Sequence, residues 1–228
     1  MGLLTPLSTP TLFEGDSLTS DEFLRRWDAI PDLKHAELID GIVYIPWPVD
    51  LGHQDLHAFL AGWLGVYATA TPGCRPAGQG TWLMGERQAP EPDVTLRILP
   101  ELGGQSRVEG LYSAGAPEFL AEVAVSSRSR EFGAKKRLYE RAGVLEYLIA
   151  VPVWQEISWF ERTSSGFQAI EHDADGILRS RCFPGLWLHV PSLWDLDFAG
   201  MNEVLRKGLA TPEHAAFAAQ LAKAKLVH

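Results

Sequence analysis

Phe119-Leu-Ala-Glu-Val-Ala-Val125 is the stretch on which the reading of this chain turns. Strand formers and small apolar side chains fill it, which predicts a strand covered on both faces. Glu122 breaks that pattern. A carboxylate in such a strand is costly unless a cation pairs with it or it holds a metal. Upstream, Pro92-Asp93-Val-Thr-Leu-Arg-Ile-Leu99 reads as a second strand with an acid at its mouth. Downstream, Lys135 falls on the helix expected from about Ser129 to Ala142, which Gly143 closes at a left-handed cap.

Working outward, Pro, Thr and Leu enrich residues 1 to about 15, and we assign 1–16 to an N-terminal arm. Ser17 to Glu22 supplies helix-start chemistry for a short helix through Trp27. Asp40-Gly41 between Glu37-Leu-Ile and Ile-Val-Tyr-Ile45 is a hairpin signal. His53 to Tyr67 places Leu56, Phe59, Leu60, Trp63 and Leu64 at helical spacing. Pro72 to Gly80 reads as a loop, Thr81 to Met84 as a strand, and Leu102 to Pro117 as a surface insertion. Glu146 to Val151 is another buried strand, and Glu156 to Glu161 with Phe167 to His172 forms a hairpin. Ile177 to Val190 carries a strand, and helices near Leu196–Leu209 and Pro212–Leu226 finish the chain. With no repeat and no second core, the order gives one α/β domain built on a mixed sheet, residues 17–195, with a helical extension at 196–228.

The 228 residues, 46% hydrophobic, suffice for a sizeable core. No stretch approaches the ~18–20 apolar residues of a membrane span, and the N-terminus lacks a basic leader, so a cytoplasmic protein is expected. Cys74 and Cys182 fit no metal-binding spacing. The net charge of −9 argues against a protein that coats nucleic acid through phosphate neutralisation. Locally the sign reverses: between Ser126 and Arg141, six cationic side chains face only Glu131 and Glu140. That segment reads equally as a solvated helix face or a phosphate track.

An Asp, a Glu and a Lys in that order, on strand, strand and neighbouring helix, form the constellation of a metal-dependent nuclease. Phosphodiester cleavage needs an activated water and an offset for charge gathering on phosphorus; Mg²⁺ or Mn²⁺ held by hard carboxylate oxygens supplies both. Asp93 and Glu122 can point at one ion, with the Val123 carbonyl as a further ligand. Lys135 suits the ammonium that orients water or offsets transition-state charge, with Lys136 as its alternative. Taken singly, each has a plainer explanation: a turn residue, a partner for an arginine, a solvated lysine. Tyr139, at i+4 from Lys135, reads as helix packing. His53 stands on the polar side of its helix and stays outside the core site. Trp154, Trp159, Trp187 and Trp194 suggest core and dimer packing rather than base stacking.

Asp40-Gly41 after Glu37-Leu-Ile, Pro92-Asp93, Glu122-Val, and Lys135-x-x-x-Tyr139-x-x-x-Gly143-Val-x-Glu146-Tyr147 together resemble the family of putative restriction endonucleases in the PD-(D/E)XK superfamily. The resemblance spans roughly Leu18 to Val190. It implies a restriction-endonuclease-like core: a central mixed sheet flanked by helices, then a C-terminal β-hairpin and helical tail. It implies Asp93 and Glu122 as metal ligands, and a lysine moved from strand position 124, here alanine, to Lys135. Glu37 is the added acid such proteins often bring from the N-terminal part of the fold; otherwise it is an exposed pair for Lys34. Glu131 stands where many members carry Asp. The expected activity is Mg²⁺-dependent DNA endonuclease, and cutting both strands needs two sites, hence a homodimer. The rival is a catalytically silent interaction or DNA-binding module of the same fold.

Overall fold

A computed structural model describes residues 11–46 and 51–224. The first ten residues of the expected arm, and the part of the expected last helix beyond 224, lie outside them. Helix α1 (Ser20–Trp27) starts where Thr19 accepts a hydrogen bond from the Glu22 amide. Strands β1 (Glu37–Ile39) and β2 (Ile42–Tyr44) form the expected hairpin. Asp40 and Gly41 turn it with φ of 51° and 78°, the positive pair that a tight hairpin turn requires. Helix α2 (Leu51–Ala70) follows, then β3 (Cys74–Ala77), β4 (Trp82–Leu83), β5 (Val94–Ile98), β6 (Arg107–Glu109), β7 (Tyr112–Ala114) and β8 (Phe119–Val123).

The helix after β8 comes in three parts. These are α3 (Arg128–Arg130), a π-helical turn over Glu131–Lys135, and α4 (Lys136–Ala142). Gly143 ends it in the left-handed conformation, φ 96°. The chain closes with β9 (Glu146–Val151), β10 (Glu156–Thr163), β11 (Gly166–Ile170), β12 (Ile177–Arg179), β13 (Trp187–His189), α5 (Val190–Trp194), α6 (Phe198–Leu209) and α7 (Pro212–Ala224).

Six strands form the central sheet in the order β11-β10-β9-β8-β5-β3. Only β8 and β9 run parallel, across the helical crossover; the other pairs are antiparallel, so the sheet is mixed as expected. Both faces are covered. On one, Phe119, Leu148 and Trp159 pack with Phe59 and Trp63 of α2 and Leu205 of α6. On the other, Leu120, Tyr147 and Ile149 meet Leu138 and Tyr139 of α4. A third cluster, with Leu12, Leu18, Phe23 and Leu38, holds the β1–β2 hairpin and α1 together. Among the described residues no helix is long and apolar enough to cross a membrane.

Three details differ from the sequence reading. The stretch expected as a loop between Pro72 and Gly80 contains β3, the edge strand of the sheet; Pro76 within it is compatible with an edge, where an amide donor is dispensable. The expected surface insertion at Leu102–Pro117 supplies β6 and β7, which join β4 in a small sheet. The Ile177–Val190 strand is instead a hairpin of two three-residue strands, β12 and β13. Of the tryptophans assigned to packing, Trp159 is buried, whereas Trp154 is 64% exposed on the turn after β9, with Arg128 stacked on it.

Candidate active site

Glu122 is the penultimate residue of β8, and Asp93 immediately precedes β5. The two strands are antiparallel, with Val94 opposite Ala121, so the next step of the register brings Asp93 level with Glu122. Both acids are buried and both line a cleft of about 990 Å³. Asp93 Oδ2 receives the Val123 amide at 2.7 Å and lies 3.3 Å from His53 Nε2. From the next turn of α2, His57 Nε2 bonds the Asp93 carbonyl at 2.7 Å. One helix therefore fixes both ends of Asp93. Burial alone would raise the Asp93 carboxyl, but His53, the Val123 amide and Lys135 outweigh it and hold the group below its ordinary value.

Lys135 is buried and reaches three carboxylates. Its Nζ lies 2.7 Å from Glu37 Oε1, 2.8 Å from Glu122 Oε1 and 3.6 Å from Glu131 Oε2. Tyr139, one turn further along the helix, donates to Glu122 Oε1 at 2.6 Å. The same Glu37 oxygen also accepts the Glu91 amide at 2.9 Å, which anchors β1 to the segment leading into β5. One ammonium among three buried acids leaves negative charge in excess. Burial first, then the charges of Glu131, Asp93 and Glu37, push the Glu122 carboxyl well above its ordinary value despite Lys135. Burial would lower the lysine, yet Glu122, Glu131 and Glu37 hold it well above its ordinary value, so it stays charged.

The expected site residues Glu37, Asp93, Glu122, Val123 and Lys135 therefore share one cleft. Glu37 faces inward to Lys135, and the alternative pairing with Lys34 does not form, since Lys34 bonds the Pro31 carbonyl instead. Lys136, the alternative lysine, points elsewhere: its Nζ sits 3.5 Å from the centre of the Phe160 ring. Three residues kept out of the expected site belong to its surroundings: His53 on Asp93, Tyr139 on Glu122, and Glu131 beside Lys135. For Tyr139 the i+4 spacing from Lys135 was the usable signal. Of the cations between Ser126 and Arg141, Arg130, Lys135 and Arg137 line the cleft, while Arg128 pairs with Glu156 and Arg141 with Asp40.

The donors are hard carboxylate oxygens carrying excess negative charge, chemistry suited to Mg²⁺ or Mn²⁺. Among the described residues no three His, Cys, Asp or Glu side chains are grouped so that they could hold a metal. Mg²⁺ does not require such a cage, because it is commonly held by one or two carboxylates, with waters and substrate phosphates completing its shell. Asp93 and Glu122 stand level with one another across the β5–β8 pair.

Residues 20–191 match the Uma2 family, described as putative restriction endonuclease. Comparison with curated proteins gave no match. Among solved structures, the chain resembles one from Anabaena variabilis, described as a putative nuclease belonging to DUF820. That likeness has a TM-score of 0.61 at 15% sequence identity and covers 78% of this chain and 98% of the other. It shows the shared fold.

Proposed function

The chain belongs to the Uma2 family of putative restriction endonucleases, and from that premise we propose that it is a divalent-metal-dependent endonuclease acting on DNA. The observation that carries the reading is the convergence of Lys135 on Glu122 and Glu37, in the cleft that Asp93 also lines. Buried acids sharing one lysine are a poor way to stabilise a fold. They are a good way to hold a cation and act on a phosphate.

In this reading Asp93, Glu122 and the Val123 carbonyl would hold Mg²⁺ or Mn²⁺. The ion would lower the pKa of a water and polarise the scissile phosphoryl group. Lys135 keeps its proton and donates it as a hydrogen bond, orienting the attacking water or offsetting charge on the phosphorane oxygens. Glu37 positions that ammonium through its 2.7 Å contact, and His53 steadies Asp93. Arg130 and Arg137 face the phosphate backbone from the cleft wall, which reconciles a nucleic-acid substrate with the net charge of −9. Cutting a duplex on both strands calls for a homodimer.

The test is cleavage of supercoiled and linear DNA by wild type, Asp93→Asn and Lys135→Ala, with Mg²⁺, Mn²⁺ or EDTA. Cleavage should require the metal. Asp93→Asn should abolish it, and Lys135→Ala should lower its rate by ~10²–10³-fold, the cost of removing one donor aimed at developing charge. Activity that survives Asp93→Asn would sink the site. DNA binding with neither cleavage nor metal uptake would favour a silent binding module.

A further inference from the structure

A second cavity, of about 640 Å³, opens beside the catalytic cleft, and Glu91 and Gln79 line both. Its volume is that of a small-ligand site, within the ~300–1,000 Å³ such sites occupy. Trp27, Leu33 and Tyr112 supply apolar and aromatic surface; Thr81, His35 and Glu91 supply polar groups. Glu91 is the joint between the two spaces. Its amide donates to Glu37 Oε1, the oxygen that also receives Lys135, while its carboxylate bonds His35 and Thr81, which line the second cavity.

The Glu91 carboxylate is buried, yet its partners are modest. Oε2 lies 3.1 Å from the half-exposed His35 ring, and Oε1 accepts from Thr81 at 3.2 Å. A carboxylate has about four acceptor positions, so Glu91 keeps capacity for a donor entering the cavity. The cavity does not suit a phosphate: Glu91 and Asp28 stand in its wall against Lys34 and His35. Flat, with an aromatic face and hydrogen-bond donors on its edge, a nucleobase fits where a phosphate does not.

We propose that this side cavity receives an unpaired nucleotide of the nucleic acid lying in the cleft, with its base stacked on Tyr112 and its amino edge donating to Glu91. The proposal rests on the reading of the cleft as a nucleic-acid site and narrows its substrate. The preferred DNA carries a bulge, flap or gap beside the cut, and a base bearing an amino group is favoured over thymine.

The experiment uses the full chain with Ca²⁺ in place of Mg²⁺, and two short duplexes. One is fully paired; the other carries a single unpaired 2-aminopurine. Anisotropy should show the second bound about tenfold more tightly, the worth of one stacked base, and the 2-aminopurine fluorescence should be quenched on binding. Tyr112→Ala should lose both preference and quenching while still binding the paired duplex. Tyr112→Leu, which keeps an apolar side chain, serves if the alanine variant does not fold. Against a third duplex carrying an unpaired thymine, Glu91→Leu, which removes both acceptor oxygens, should keep the quenching and lose the preference for 2-aminopurine. Equal binding of both duplexes by wild type, or a preference unchanged in the Tyr112 variants, would overturn the side cavity and leave the cleft standing. Binding of neither duplex would overturn both.

Discussion

Tyr139 donates its phenol to Glu122 Oε1 at 2.6 Å, the same oxygen that Lys135 approaches to 2.8 Å. Burial and the charge of Glu122 keep the phenolic proton in place. Tyr139→Phe removes one of two donors from a buried carboxylate and changes little in shape. We expect it to cost about 1.5–3 kcal/mol, the range for hydrogen bonds to charged groups, measured as a lower melting temperature by calorimetry. An unchanged melting temperature would mean that the bond contributes nothing.

Lys135→Met should be harsher. It strips the shared cation from Glu37, Glu122 and Glu131 and leaves uncompensated charge inside the protein, at a cost of about 3–5 kcal/mol near neutral pH. The loss should shrink in acid, because Glu122 and Glu131 already sit above their ordinary values and take up protons readily. Urea denaturation at pH 5 and pH 8 checks it; an equal loss at both would refute the charge argument.

Glu122→Gln turns the same reasoning on the acid itself. Its carboxyl value in the fold is raised above the ordinary 4.5. The native state therefore keeps a proton that the unfolded chain has released, and stability falls as pH rises from about 4.5 through the folded value. The variant lacks this term. Without divalent metal, its stability relative to wild type should increase from pH 4.5 to pH 8. Mg²⁺ at pH 8 should then raise the melting temperature of wild type and not of the variant. Parallel pH profiles would contradict the burial of a raised carboxyl.

Gly143→Ala isolates the end of the helix. A Cβ there would meet no atom within 4 Å, but φ is 96°, so the cost is backbone strain alone, about 1 kcal/mol. Thermal denaturation should show that small loss, with the cleft's metal response retained.

The strands were legible where pattern and length agreed. The run around Glu122 and the Glu146–Val151 strand read as buried because both faces are apolar, and both faces are indeed covered. The Asp40-Gly41 turn was legible because its backbone demands those residues. Strands of three or four residues, such as β3, β6 and β7, show too few periods for alternation to register. The meeting of Glu37, Glu122 and Lys135 was an expectation from order and resemblance. His53 could not be placed on Asp93 by spacing, because the contact depends on how α2 lies across the end of β5. Whether Glu131 faced the site turned on a π turn, and nothing in its composition announces one.

That turn separates two duties. The acids stand on strands locked into the sheet, while the lysine rides on a helix whose seat is side-chain packing. A strain that shifted the helix by a fraction of its width would draw the ammonium away and leave Asp93 and Glu122 where they are. In the proposed reading, ion retention and turnover would answer to different parts of the fold, and a change outside the cleft would silence the second without disturbing the first.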